Sequence, residues 1–104
     1  MTQDTKATAL RMVLSRLNRL SATAPDELKE YLSARVDAAV AELDRTGIHL
    51  TDGPEDLIFL VDFVVWQYQN RDKPGSMPDW LRLRRRERWL TQPFRPEEVS
   101  AGDP

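Results

Sequence analysis

The stretch Asp52-Gly53-Pro54-Glu55-Asp56-Leu57-Ile58-Phe59-Leu60-Val61-Asp62-Phe63-Val64-Val65-Trp66-Gln67-Tyr68-Gln69-Asn70-Arg71-Asp72 decides how the chain folds. Asp52 can cap a helix, Pro54 suits an early helical position, and Glu55 stands three residues after Asp52 as in a capping box. A helix is expected from there to about Asp72. Leu57, Leu60, Val61, Val64 and Tyr68 fall on one of its faces, and Phe59, Phe63 and Trp66 on the opposite one. A helix that is apolar on both faces is buried on both. Three other short helices leave little room to surround it, so the Phe59, Phe63 and Trp66 face is a candidate contact with a second subunit, unless the fourth helix covers it. Asp62 lies inside this apolar segment. A buried lone carboxylate is costly, so it should reach solvent or meet an arginine, within the chain or across a subunit boundary.

The flanking sequence is helical too. Residues 1–6 are polar and expected to fray. Leu10, Val13, Leu14 and Leu17 recur at three- and four-residue steps and predict a first helix from about Thr8 to Leu20, with Arg11, Arg16 and Arg19 solvated. Pro25 suits the first turn of a second helix, followed by Asp26 and Glu27 where the helix dipole favours negative charge. Leu28, Leu32, Val36, Ala39, Val40 and Leu43 form its buried stripe, and Gly47 is a left-handed stop. His49 reads as a turn residue. After the Pro/Gly loop Lys73 to Pro78, with Ser76 as a candidate cap, a fourth helix is expected from about Pro78 to Thr91. The chain therefore reads as all-α, a small single-domain bundle of about four helices over 1–92, with a flexible C-terminal tail over 93–104.

Composition narrows the chemistry. The 104 residues carry 15 Lys+Arg against 17 Asp+Glu, a net charge of −2, so there is no overall basic excess of the kind free nucleic-acid binders show. With no Cys and one His, thiolate metal sites, disulfides, thiol nucleophiles and histidine-rich sites have no material. No phosphate loop, HExxH or nucleophile elbow is present. The chain is expected to be non-enzymatic, with no catalytic residues, cofactor or metal. The start has no secretory-signal layout, and no apolar run approaches the roughly 20 residues of a membrane span.

The densest local signal is Trp80-Leu81-Arg82-Leu83-Arg84-Arg85-Arg86-Glu87-Arg88-Trp89-Leu90. At about 100° per residue, Trp80, Leu83, Glu87 and Leu90 share one side, which is expected to dock on the domain. Leu81, Arg82, Arg85, Arg88 and Trp89 share the other, with Arg85 placed to stack on Trp89. That arginine face could be a solvated surface with Trp89 finishing the core, contact phosphates, or pair with acidic groups on another protein or copy. Protein contact is favoured over sequence-specific DNA reading, because the loop before the helix is longer than a helix-turn-helix turn and the remaining surface is acidic.

The order of segments resembles a known family. The series Ala41-Glu42-Leu43-Asp44-Arg45-Thr46-Gly47-Ile48, then Pro54 to Phe63, Trp66-Gln67-Tyr68, Asn70-Arg71-Asp72 and Met77-Pro78-Asp79-Trp80-Leu81-Arg82-Leu83-Arg84 is similar to the small head–tail connector (adaptor, or head-completion) proteins of long-tailed bacteriophages, prophages and gene-transfer particles. The likeness covers about residues 8–92 and rests on segment order and apolar pattern. It implies a structural virion protein, assembled in the host cytoplasm. Such a subunit forms a homo-oligomeric ring, twelvefold on the portal protein, joins head to tail and extends the DNA channel. The implied partners are other copies, the portal protein and a downstream stopper or tail-completion protein, with non-specific contact to packaged DNA and no membrane. Phe59, Asp62, Phe63 and Trp66 are the expected subunit interface. Arg82, Arg85, Arg88, Trp89, Phe94 and Arg95 are the expected portal or channel contacts. The alternative is a small helical DNA-binding regulator that uses the arginine-rich helix.

Overall fold

The computed structural model describes residues 1–17, 23–72 and 75–91. Four α-helices follow in order: α1 (Gln3–Arg16), α2 (Asp26–Arg45), α3 (Pro54–Gln69) and α4 (Asp79–Leu90). The chain is all-α. No helix among the described residues is long and apolar enough to cross a membrane. The helix α3 is the axis of the bundle. It packs against α1, α2 and α4, while α1 also packs on α2; among the described residues α4 packs on α3 alone.

The helices form where their apolar periodicity places them. Ala9, Val13 and Leu14 of α1 meet Leu32, Val36, Ala39 and Leu43 of α2 and six residues of α3: Phe59, Leu60, Val61, Phe63, Val64 and Val65. Leu81 is the single fully buried residue of α4 and joins the same core. Its side chain anchors the fourth helix, and truncation at such a site typically costs about 2–5 kcal/mol.

Several boundaries differ from the sequence-based expectation, each for a local reason. The first helix begins at Gln3, so residues 3–6 are helical where fraying was expected. The Thr2 hydroxyl accepts from the Thr5 N–H at 3.3 Å and caps this end. The Thr2 N–H in turn donates to the Asp52 carboxylate at 2.7 Å, which ties the first helix to the turn before α3. With Asp52 occupied in this way, Gly53 is the cap residue of α3 and no side chain caps that helix, so the expected Asp52–Glu55 capping box does not form. Ser76 likewise does not cap α4, whose cap position is Pro78. The first helix stops at Arg16 and α3 at Gln69, both short of the expected ends. Arg19 and Leu20, and the proposed tail 93–104 with Phe94 and Arg95, lie outside the described residues.

Gly47 stops α2 as expected. The Ile48 N–H donates to the Leu43 carbonyl at 2.9 Å and the Gly47 N–H to the Asp44 carbonyl at 3.0 Å, the paired bonds of a Schellman turn. The glycine has φ +96°, and a Cβ there would lie 2.8 Å from Nε1 of Trp89. Two demands thus meet at one residue: a left-handed backbone, and room for an indole from α4. We predict that Gly47→Ala lowers unfolding free energy by about 2 kcal/mol or more, combining left-handed strain with loss of the indole seat. Urea unfolding of the wild type and the variant measures it.

Candidate interaction surface

The arrangement of the fourth helix is set by one ion pair. Asp56, in the first turn of α3, is buried at 5% exposure. One carboxylate oxygen accepts from the Thr51 N–H at 2.7 Å and the Thr51 hydroxyl at 2.8 Å. The other accepts from Arg88 Nε at 2.7 Å, and a second guanidinium nitrogen lies 3.1 Å from the first oxygen. That same nitrogen donates to the His49 carbonyl at 2.8 Å. Asp56 therefore closes the loop before α3, and Arg88 fastens the fourth helix both to α3 and to that loop. Burial by itself would raise the Asp56 pKa. The hydrogen bonds from Arg88 and Thr51 and the positive charge of Arg88 outweigh it and hold the carboxyl below its ordinary range.

This pairing turns the fourth helix over relative to the sequence-based expectation. Leu81 is buried and Arg85, Arg88 and Trp89 are half-buried on the inward side, with Trp89 seated on Gly47. The expected docking residues Trp80, Leu83 and Leu90 instead point outward, at 51%, 57% and 61% exposure. The predicted stacking of Arg85 on Trp89 does not form. The guanidinium of Arg84 lies over the Trp80 ring, 5.5 Å from its centroid. Arg82 stays on the surface and pairs with Asp79 within α4.

The expected interface on α3 divides. Phe59 and Phe63 are each 2% exposed, enclosed by the chain's own helices, and present no face to a neighbour. Of the two readings of this face, coverage by the fourth helix is the one found: α4 lies over the Phe59 side, leaving α1 and α2 for the rest. Trp66 is half-buried, with its ring tilted against Phe63 at 6.4 Å. Asp62 meets arginine as expected, and does so twice within the chain: Arg16 of α1 at 2.6 Å and Arg84 of α4 at 2.5 Å. Arg16 is exposed, as expected, and its guanidinium also links α1 to α3.

Between α3 and α4 lies an open groove of about 340 Å³, lined by Glu55, Asp56, Ile58, Phe59, Arg84, Glu87, Arg88 and Thr91. Its two buried charges already neutralise each other. Among the described residues, no group of three or more His, Cys, Asp or Glu side chains is placed to hold a metal ion. What the surface does offer is the outer side of α4, three large apolar side chains between Arg82 and Arg86 on one edge and Arg84 on the other. Ile58, 48% exposed, borders the groove beside it. Helical spacing revealed that Trp80, Leu83 and Leu90 share a side, but not that this side faces out. The residue that decides it, Asp56, reads in sequence as one more first-turn acid.

No family model, curated protein or solved structure matches the chain.

We predict that Asp56→Ala and Arg88→Ala each cost about 3–5 kcal/mol, since either leaves a buried charge without its partner, and that the double variant costs much less than their sum. A denaturant-unfolding double-mutant cycle reads this directly. The folded Asp56 has a lower pKa than the unfolded one, so the unfolded chain takes up the proton first as pH falls. The stability from its ionised form is complete above about pH 4 and is lost as pH drops through the folded value. Unfolding curves below pH 4 should show this loss for the wild type and a shallower one for Asp56→Asn.

Proposed function

We propose that this chain is a non-enzymatic structural subunit, a head–tail connector that assembles as a ring on a portal at a capsid vertex. The observation that carries the reading is the outer side of α4: Trp80, Leu83 and Leu90 stand half or more exposed together among arginines. A soluble domain rarely leaves large apolar groups clustered in this way without a partner. The resemblance in segment order supplies the kind of partner: other copies, a portal, and a stopper or tail-completion protein, with non-specific contact to channel DNA. Location in the virion belongs to the same proposal. Closed rings need two different complementary patches on each subunit, and the acidic α2 and arginine-rich α4 differ in the required sense.

The DNA-regulator alternative is weakened by what the arginines already do. Arg82, Arg84 and Arg88 are paired with Asp79, Asp62 and Asp56 of the same chain. Phosphate binding by this helix would compete with those carboxylates.

Electron microscopy and mass-resolved chromatography, on the protein alone and with a portal protein from the same genome, test the proposal. Rings, or a stable complex with the portal, are expected. A strictly monomeric protein without affinity for that portal would overturn the reading, and duplex-DNA retention that falls steeply with salt would favour the regulator.

A further inference from the structure

We infer that the outer face of α4 docks on the outer face of α2 of a second copy of this chain, in a head-to-tail contact that repeats from subunit to subunit. The inference rests on the connector reading and goes further by naming both surfaces. Along α4 the stripe is Trp80, Leu83, Glu87 and Leu90, edged by Arg84 on one side and Arg86 on the other. Along α2 the exposed residues Tyr31, Ala34, Ala38, Ala41 and Arg45 recur at three- and four-residue steps and make a shallow stripe. Glu30, Asp37 and Asp44 edge that stripe on one side, and Glu42 with Arg35 on the other.

Shape and charge both select this pairing. Large side chains on α4 meet alanines on α2, which let two helices approach closely, and Arg86, which has no carboxylate partner in its own chain, comes to the Glu42 edge. Among the described residues, Arg86 of α4 and Arg45 of α2 are exposed and have no ion-pair partner within the chain, and neither does Glu87 of α4, so charge of both signs is available for an intermolecular contact. The alternative of α4 packing on α4 of a twofold mate would set two arginine sets against each other. Within one chain α2 and α4 do not touch, so both surfaces stay open when a neighbour binds either. One register pairs Arg45 with Glu87, the charge within each stripe. With the helices parallel and Arg45 beside Glu87, Ala41 falls opposite Leu83 and Ala38 opposite Trp80.

The chain has no cysteine, which makes the contact directly testable. Leu83→Cys and Ala41→Cys chains, both altered at exposed positions, are mixed at up to millimolar concentration and treated with a short bismaleimide. The expected product is a dimer containing one of each, with little from either variant alone; a chain carrying both substitutions should give a ladder. Glu87→Arg in the Leu83→Cys chain should cut the mixed product tenfold or more, and Arg45→Glu in the Ala41→Cys chain should restore it. Self-cross-linking of Leu83→Cys, or no mixed product at any concentration, overturns the inference. Rings or portal complexes that form without this cross-link would overturn the contact and leave the connector reading standing. The cross-linked ladder without any ring or portal binding would keep the contact and remove the connector reading.

Discussion

A carboxylate carried into the interior at the third residue of α3 needs compensation, and the way Asp56 obtains it organises everything around it. Thr51 satisfies one oxygen from the preceding loop, and Arg88 satisfies the other from a helix more than thirty residues further along. A buried ion pair of this kind adds little net stability over an apolar replacement, because desolvation offsets much of the attraction. Its effect is on specificity. An alternative rotation of α4 would leave the Asp56 charge buried with Thr51 but without a cation, so the rotation with Arg88 inward is selected.

From that rotation the other contacts follow. Leu81 enters the core, Trp89 reaches the left-handed Gly47, and Arg84 lands where it shares Asp62 with Arg16. The long aliphatic stem of arginine makes this possible, since it can cross an apolar surface and still deliver its charged head. The complementary consequence is that Trp80, Leu83 and Leu90 are turned to the outside. The exposed apolar face is thus not a packing failure but the remainder of a helix whose inward side was chosen by charge.

Most of the fold was legible in the sequence because it depends on local periodicity. The stripe Leu32, Val36, Ala39, Leu43 and the stop at Gly47 are set within single turns of helix, and the structure has them where spacing puts them. Asp62 was legible as well, since a carboxylate flanked by Val61 and Phe63 announces its need for a partner. The orientation of α4 was not. Both of its sides carry large apolar groups, so periodicity alone is ambiguous, and the stripe with more of them reads as the core side. The deciding partners, Asp56 and Gly47, are distant in sequence, and neither differs on its face from an ordinary first-turn acid or helix stop. The same limit explains Phe59 and Phe63, whose enclosure depends on where α4 lies.

Thiol accessibility tests the rotation of α4 most directly, because the chain has no cysteine of its own. Single cysteines at positions 81 and 83 are labelled under native conditions and their rates compared with that of the unfolded chain. If Arg88 is held inward by Asp56, Leu83→Cys reacts nearly as fast as in the unfolded chain, while Leu81→Cys is protected a hundredfold or more. The reverse order, with position 83 protected and position 81 open, would contradict the account.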